Sequence, residues 1–185
     1  AAAGNILNDI LDIEIDKINK PNRVLIGNFI SVSIAWKWYF FLNFSAIFLA
    51  IWIGELSIVF FFGTAILLLF FYSKYWKKQL FIGNLVVAFL CAWVLVEFWW
   101  IERAGLTKYW SWILWAYIFF AFFSTLFREQ IKDLEDMEGD RQQGCKTLPI
   151  VVGEKNAKVL AIISAGLLCW SLFVEAFFLL AYEKQ

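Results

Sequence analysis

Five long apolar segments dominate the chain: roughly Trp36 to Gly54, Leu56 to Tyr72, Leu80 to Trp100, Trp110 to Phe127, and Ala157 to Tyr182. Each reaches or approaches the ~20 residues with which an α-helix crosses a hydrocarbon core of about 30 Å. A bilayer offers the backbone no hydrogen-bonding partners, so a crossing segment must be a helix or part of a closed barrel. The two prolines, Pro21 and Pro149, both fall in polar stretches. The apolar runs are thus uninterrupted, which favours helices. The expected fold class is all-α, a polytopic transmembrane helical bundle. Composition agrees, with 62% hydrophobic and 17% charged residues, against about 45–50% and about 25% in soluble domains. Trp99, Trp100, Trp110 and Trp112 flank one short connection, as interfacial aromatic belts do.

Ala1 to about Asp16 reads as the end of a sixth helix whose beginning is missing. The only methionine is Met137, no basic n-region precedes an apolar h-region, and Gln185 follows an apolar helix directly. These features set the expectation of a fragment lacking flanking helices. Residues 1–185 would then be part of a single membrane-embedded domain.

Alternating the connections between two sides sorts the basic residues 13 against 3, with only Arg103, Lys108 and Lys184 on the minority side. The positive-inside rule makes the majority side cytoplasmic. The absence of histidine excludes histidine bases and histidine metal ligands. Cys91, Cys145 and Cys169 form no C-x-x-C pair, so no disulfide framework is indicated. A formal net charge of zero gives no pull toward nucleic acid.

Most carboxylates on the basic side fall into two strings. Asn8, Asp9, Asp12 and Asp16 form one; Asp133, Asp136 and Asp140 form the other. Positions i, i+3 and i+7 lie within about 60° of one another on a helix, so each string predicts an acidic stripe. A shift of 124 residues superimposes them, placing Asn5 on Glu129 and Asn8 on Lys132 as well. Gly139 is positioned to end the second helix before Asp140 joins its stripe. Clustered carboxylates repel one another, and Mg²⁺ resolves the conflict through oxygen ligands plus substrate phosphates. Two facing stripes suit two such ions and a diphosphate. Arg23, Lys77, Lys78, Lys132, Arg141 and Lys146 are close enough in the topology to neutralise the remaining charge.

The run Gly4-Asn5-Ile6-Leu7-Asn8-Asp9 to Asp16, then Lys17-Ile18-Asn19-Lys20-Pro21-Asn22-Arg23, resembles the first aspartate-rich motif of the UbiA-type intramembrane prenyltransferases. Arg128-Glu129 through Asp133, Asp136 and Glu138-Gly139-Asp140-Arg141, then Lys146-Thr147-Leu148-Pro149, resembles the second. Tyr72-Ser73, Lys77-Lys78 and Gly83-Asn84 are similar to the family's tyrosine–lysine segment. The E-G-D-R wording with I-N-K-P-N-R is closest to the digeranylgeranylglyceryl phosphate synthase and chlorophyll synthase branches.

The resemblance implies a bundle of about nine spans, of which this chain would lack the first, part of the second and the last two. The aspartate-rich segments, 5–23 and 128–149, would share one membrane side. It also implies Mg²⁺-dependent transfer of a prenyl group from its diphosphate to a lipid or aromatic acceptor, geranylgeranylglyceryl phosphate among them. Asp12, Asp136 and Lys77 would be catalytic. Asn8, Arg23, Tyr72, Lys77, Lys78, Lys132, Arg141 and Lys146 would bind the diphosphate. Asp9, Asp12, Asp16, Asp133, Asp136 and Asp140 would hold two Mg²⁺ ions. The partners would be the prenyl diphosphate, the acceptor and membrane lipids, with no nucleic acid. The site would face the cytoplasm, at the cell membrane in a bacterium or archaeon.

A cation transporter using intramembrane carboxylates is the alternative class. It requires acids near the bilayer midplane, whereas these lie at helix ends among lysines. Glu97 and Glu175, in or near apolar spans, receive no role. Cys145 reads as an ordinary loop residue.

Overall fold

The computed structural model describes residues 2–18, 22, 24–142 and 144–177 with their side chains, and the backbone of 19 and 178–182. Among the described residues the regular elements are helices joined by short turns, with an isolated bridge between Ile26 and Ile30. The elements are α1 (Ala2–Leu11), α2 (Ile13–Asn19), α3 (Val32–Ile53), α4 (Leu56–Lys74), α5 (Ile82–Glu102), α6 (Lys108–Glu135), α7 (Met137–Gln142), α8 (Leu148–Val152) and α9 (Glu154–Tyr182). A short 3₁₀ turn, Trp76–Lys78, sits between α4 and α5.

Helices α3, α4, α5, α6 and α9 are long and apolar enough to cross a membrane. Their boundaries follow local chemistry. Ser31 caps α3 by accepting from Ile34 N at 3.3 Å, and Gly54 closes it at φ 83°, the left-handed conformation that glycine adopts without strain. Thr107 caps α6 by accepting from Trp110 N at 3.4 Å, and Trp99 Nε1 donates to Ser111 Oγ at 2.8 Å across the α5–α6 connection. That bond ties the end of α5 to the start of α6.

Burial is inverted relative to a soluble bundle. Phe44, Trp52, Leu56, Ile162 and Phe173 are among the many large apolar side chains left exposed, while Ala50, Ala88, Ala92, Ala157, Ala161 and Ser164 are buried. Small residues let helix backbones approach closely, which drives packing where lipid is as apolar as the side chains. Along α9, Ala157, Ala161 and Ser164 recur on one face, and α9 packs against α6. Helix α6 also packs against α5, and α1 lies against α3 and α4.

Helix α6 has 28 residues and is therefore about 42 Å long at 1.5 Å per residue. That exceeds the ~30 Å core, so its last turns, beginning near Arg128, extend past the hydrocarbon. The sequence-expected end at Phe127 fell short because the helix continues through polar residues once it leaves the apolar zone. Those extra turns carry Glu129, Lys132 and Asp133.

Candidate active site

The two acidic strings are bent at the same place. Helix α1 ends at Leu11 and α2 resumes at Ile13; α6 ends at Glu135 and α7 resumes at Met137. Asp12 and Asp136, which correspond under the shift of 124, are the two breaks. The hydrogen bonds around them correspond as well. Asp12 N donates to Asn8 O and Asp16 N to Asp12 O, at 2.9 and 2.8 Å; Asp136 N donates to Lys132 O and Asp140 N to Asp136 O, at 2.9 and 3.1 Å. This corrects two expectations. The stripes are not continuous straight helices, and Gly139 does not end the second one: it is buried within α7. Aspartate bends a helix readily because its short side chain competes for nearby backbone groups.

Beyond the bends, α2 packs against α7. Asn8, Asp9, Asp12 and Asp16 from the first string, and Asp133, Asp136 and Asp140 from the second, line one cavity of about 290 Å³. Tyr72, Lys77, Lys78, Glu129 and Lys132 line it too, and Val24, Leu25 and Ile26 add an apolar wall. Lys77 donates to Asn8 Oδ1 at 3.3 Å and pairs with Asp12, their side chains only 9% and 12% exposed. Burial pulls the Lys77 ammonium below the usual lysine range, and Asp12 opposes that pull. Burial pushes Asp140 above the ordinary carboxylate range, and the neighbouring charge of Asp136 pushes the same way.

The donor set is wholly oxygen, from aspartates and one asparagine, and so fits a hard divalent cation. Among the described residues no three acidic groups converge tightly enough to hold an ion by themselves.

Residues 1–183 match the UbiA prenyltransferase family. The chain belongs to that family. It is 41% identical over 174 residues to digeranylgeranylglyceryl phosphate synthase of Thermococcus sibiricus, covering 91% of this chain and 58% of the relative. The namesake from Sulfurisphaera tokodaii is 38% identical over 181 residues, covering 96% and 63%. The chain therefore spans roughly three-fifths of the length of these relatives. A solved structure described as concerning digeranylgeranylglyceryl phosphate synthase in membranes superimposes with a TM-score of 0.62 at 33% identity, covering 92% of this chain and 58% of that one. The apo structure of a UbiA homologue from Aeropyrum pernix K1 superimposes with a TM-score of 0.71 at 17% identity, covering 95% and 66%; at that identity it speaks for the fold alone. Five apolar crossing helices and family membership together make this an integral, multi-pass membrane protein.

In this UbiA member the structure gathers eleven of the expected side chains, the six aspartates with Asn8, Tyr72, Lys77, Lys78 and Lys132, around the cavity. Arg141 and Lys146 are exposed and lie outside its lining. Arg141 sits on α7 beyond the bend, while Lys146 meets the site only through its backbone, its N–H donating to Lys78 O at 2.8 Å. Arg23 lies outside the described residues. Three participants were not assigned from the sequence. Glu129 is buried and lines the cavity, with Arg128 beside it at 2.6 Å; the 124-residue correspondence with Asn5 was its signal. Asn84 donates to Asp133 Oδ2 at 2.9 Å, signalled by a polar side chain at the entry to an apolar helix. Cys145 is buried and lines the cavity rather than sitting in an ordinary loop.

Proposed function

We propose that this chain carries the site of a Mg²⁺-dependent prenyltransferase, moving a prenyl group from an allylic diphosphate to a lipid acceptor. The observation that carries this reading is the shared cavity, where two acidic motifs meet Lys77. The names of the relatives favour geranylgeranylglyceryl phosphate as the acceptor. An aromatic acceptor is the other outcome of an acceptor screen.

The reaction needs a leaving diphosphate stabilised as negative charge develops on it. Asp9, Asp12 and Asp16 on one side, and Asp133, Asp136 and Asp140 on the other, would hold two divalent ions. When bound, these ions supply charge neutralisation at the departing phosphates. Lys77 is poised between the first motif and the diphosphate position, and Lys78 and Lys132 add positive charge around the same space. Tyr72 offers a phenolic donor. The buried Val24 and Ile26 side chains border the cavity, and apolar surface of this kind would help keep water from the allylic cation. Attack by an acceptor oxygen or ring carbon completes the transfer, and no protein nucleophile is required. The site is proposed to face the cytoplasm, from the 13-to-3 distribution of basic residues. Acids mixed with lysines at helix ends suit diphosphate binding better than a cation pathway, which needs acids along the span.

The test is product mass analysis with purified full-length protein in lipid, geranylgeranyl diphosphate, Mg²⁺, and geranylgeranylglyceryl phosphate or an aromatic compound as acceptor. Prenylated phosphoglycerol lipid is expected. No prenylated product with either acceptor overturns the reading.

A further inference from the structure

The connection between α4 and α5, together with the first turn of α5, touches both acidic motifs, with different chemistry on each. Toward the first it presents Lys77, bound to Asn8 and Asp12. Toward the second it presents Asn84, whose Nδ2 donates to Asp133 Oδ2 at 2.9 Å. The intervening backbone keeps the two in register. Phe81 adopts φ 58°, a left-handed conformation that is uncommon for a bulky residue. Gly83 lies so close to the preceding turn that a Cβ would come within 2.9 Å of Lys77 Cα and 3.0 Å of Trp76 O. Only glycine permits that approach.

Asn84 is 6% exposed and shares a helical face with buried Ala88 and Ala92. A buried amide costs free energy unless it is hydrogen-bonded, and an alanine here would continue the small-residue face. The partner of this amide is a carboxylate lining the cavity. We propose that Asn84 is a positioning residue: its amide fixes Asp133 through Oδ2 and leaves Oδ1 to the cavity as a ligand for a divalent cation. Being neutral, the amide orients the carboxylate without cancelling its charge. Lys77 differs, since it both holds Asp12 and offsets its charge. The inference rests on the metal-dependent function proposed above.

Removing an orienting partner of a metal ligand typically lowers metal affinity 10–100-fold. The experiment titrates Mn²⁺ into the purified protein saturated with a non-hydrolysable prenyl diphosphate analogue, without acceptor, and follows unbound Mn²⁺ by electron paramagnetic resonance against analogue alone. Asn84→Ala removes the amide; Asn84→Leu removes it while retaining comparable bulk, so that a packing defect is separated from loss of the hydrogen bond. Both should raise the Mn²⁺ dissociation constant about 10–100-fold. In transfer assays, both should need more metal for half-maximal rate and recover most of the maximal rate at saturation. A packing role alone would lower stability without changing metal dependence. Mn²⁺ affinity within twofold of the unsubstituted protein in both variants overturns the role given to Asn84. Failure of the unsubstituted protein to bind Mn²⁺ beyond the analogue alone overturns the metal-dependent reading itself, and this inference with it.

Discussion

Replacing Lys77 with alanine removes the cation that the site holds against Asn8 and Asp12, and the structure sets the expected size of two separate effects. The first concerns stability. The Lys77 and Asp12 side chains are 9% and 12% exposed, so deleting the lysine strands a largely buried carboxylate. Breaking such a pair costs about 3–5 kcal/mol, and the lower end applies because the pair borders a cavity. At roughly 2–4 °C per kcal/mol for a chain of this size, melting should fall by about 6–12 °C in metal-free buffer. The second effect concerns catalysis. Losing one preorganised donor to developing charge costs on the order of 10²–10³ in rate. The two effects separate in Lys77→Ala combined with Asp12→Asn, which removes both charges: stability should largely return while transfer stays lost. Lys77→Arg should rescue only partly, since a planar guanidinium does not reproduce a compact ammonium. Single-turnover transfer in proteoliposomes, alongside thermal unfolding, measures both. Transfer within threefold of the unsubstituted protein in Lys77→Ala refutes the diphosphate role.

Three further perturbations follow from the geometry. Asp12→Ala and Asp136→Ala, at the two corresponding bends, should each abolish Mg²⁺-dependent transfer while the protein remains membrane-inserted; normal turnover in either counts against a shared site. Gly83→Ala forces a Cβ against the Lys77 backbone, so unfolding measurements should show a cost of about 1–3 kcal/mol and transfer should fall with the displacement of Lys77. Arg141→Ala and Lys146→Ala remove exposed side chains outside the cavity lining, and each should change the transfer rate by less than about fivefold, as expected for screened surface charges.

The membrane architecture was legible because it is written in uninterrupted apolar runs: Leu56 opens both the expected and the observed α4. Where polar residues prolong a helix beyond the bilayer, hydropathy loses its edge, which explains why α6 continues eight residues past Phe127. The acidic motifs were legible from their matched spacing and from resemblance, but their bends were not. No proline marks Asp12 or Asp136, and Gly139, which looked like a helix terminator, is instead buried within α7. The Asn84–Asp133 bond joins residues 49 apart in sequence, and no local periodicity reports such a contact. Arg141 and Lys146 follow the second acidic motif in sequence, and the structure leaves both side chains exposed and outside the cavity lining.

The central claim is that both aspartate motifs act on one diphosphate. Electron–nuclear double resonance measures it directly, with Mn²⁺ in place of Mg²⁺ and a non-hydrolysable prenyl diphosphate analogue bound to the protein. The account predicts ³¹P couplings to bound Mn²⁺ in the unsubstituted protein, with part of the Mn²⁺ lost in Asp12→Ala and another part in Asp136→Ala. Bound Mn²⁺ without ³¹P coupling, or coupling unchanged by both substitutions, would contradict it.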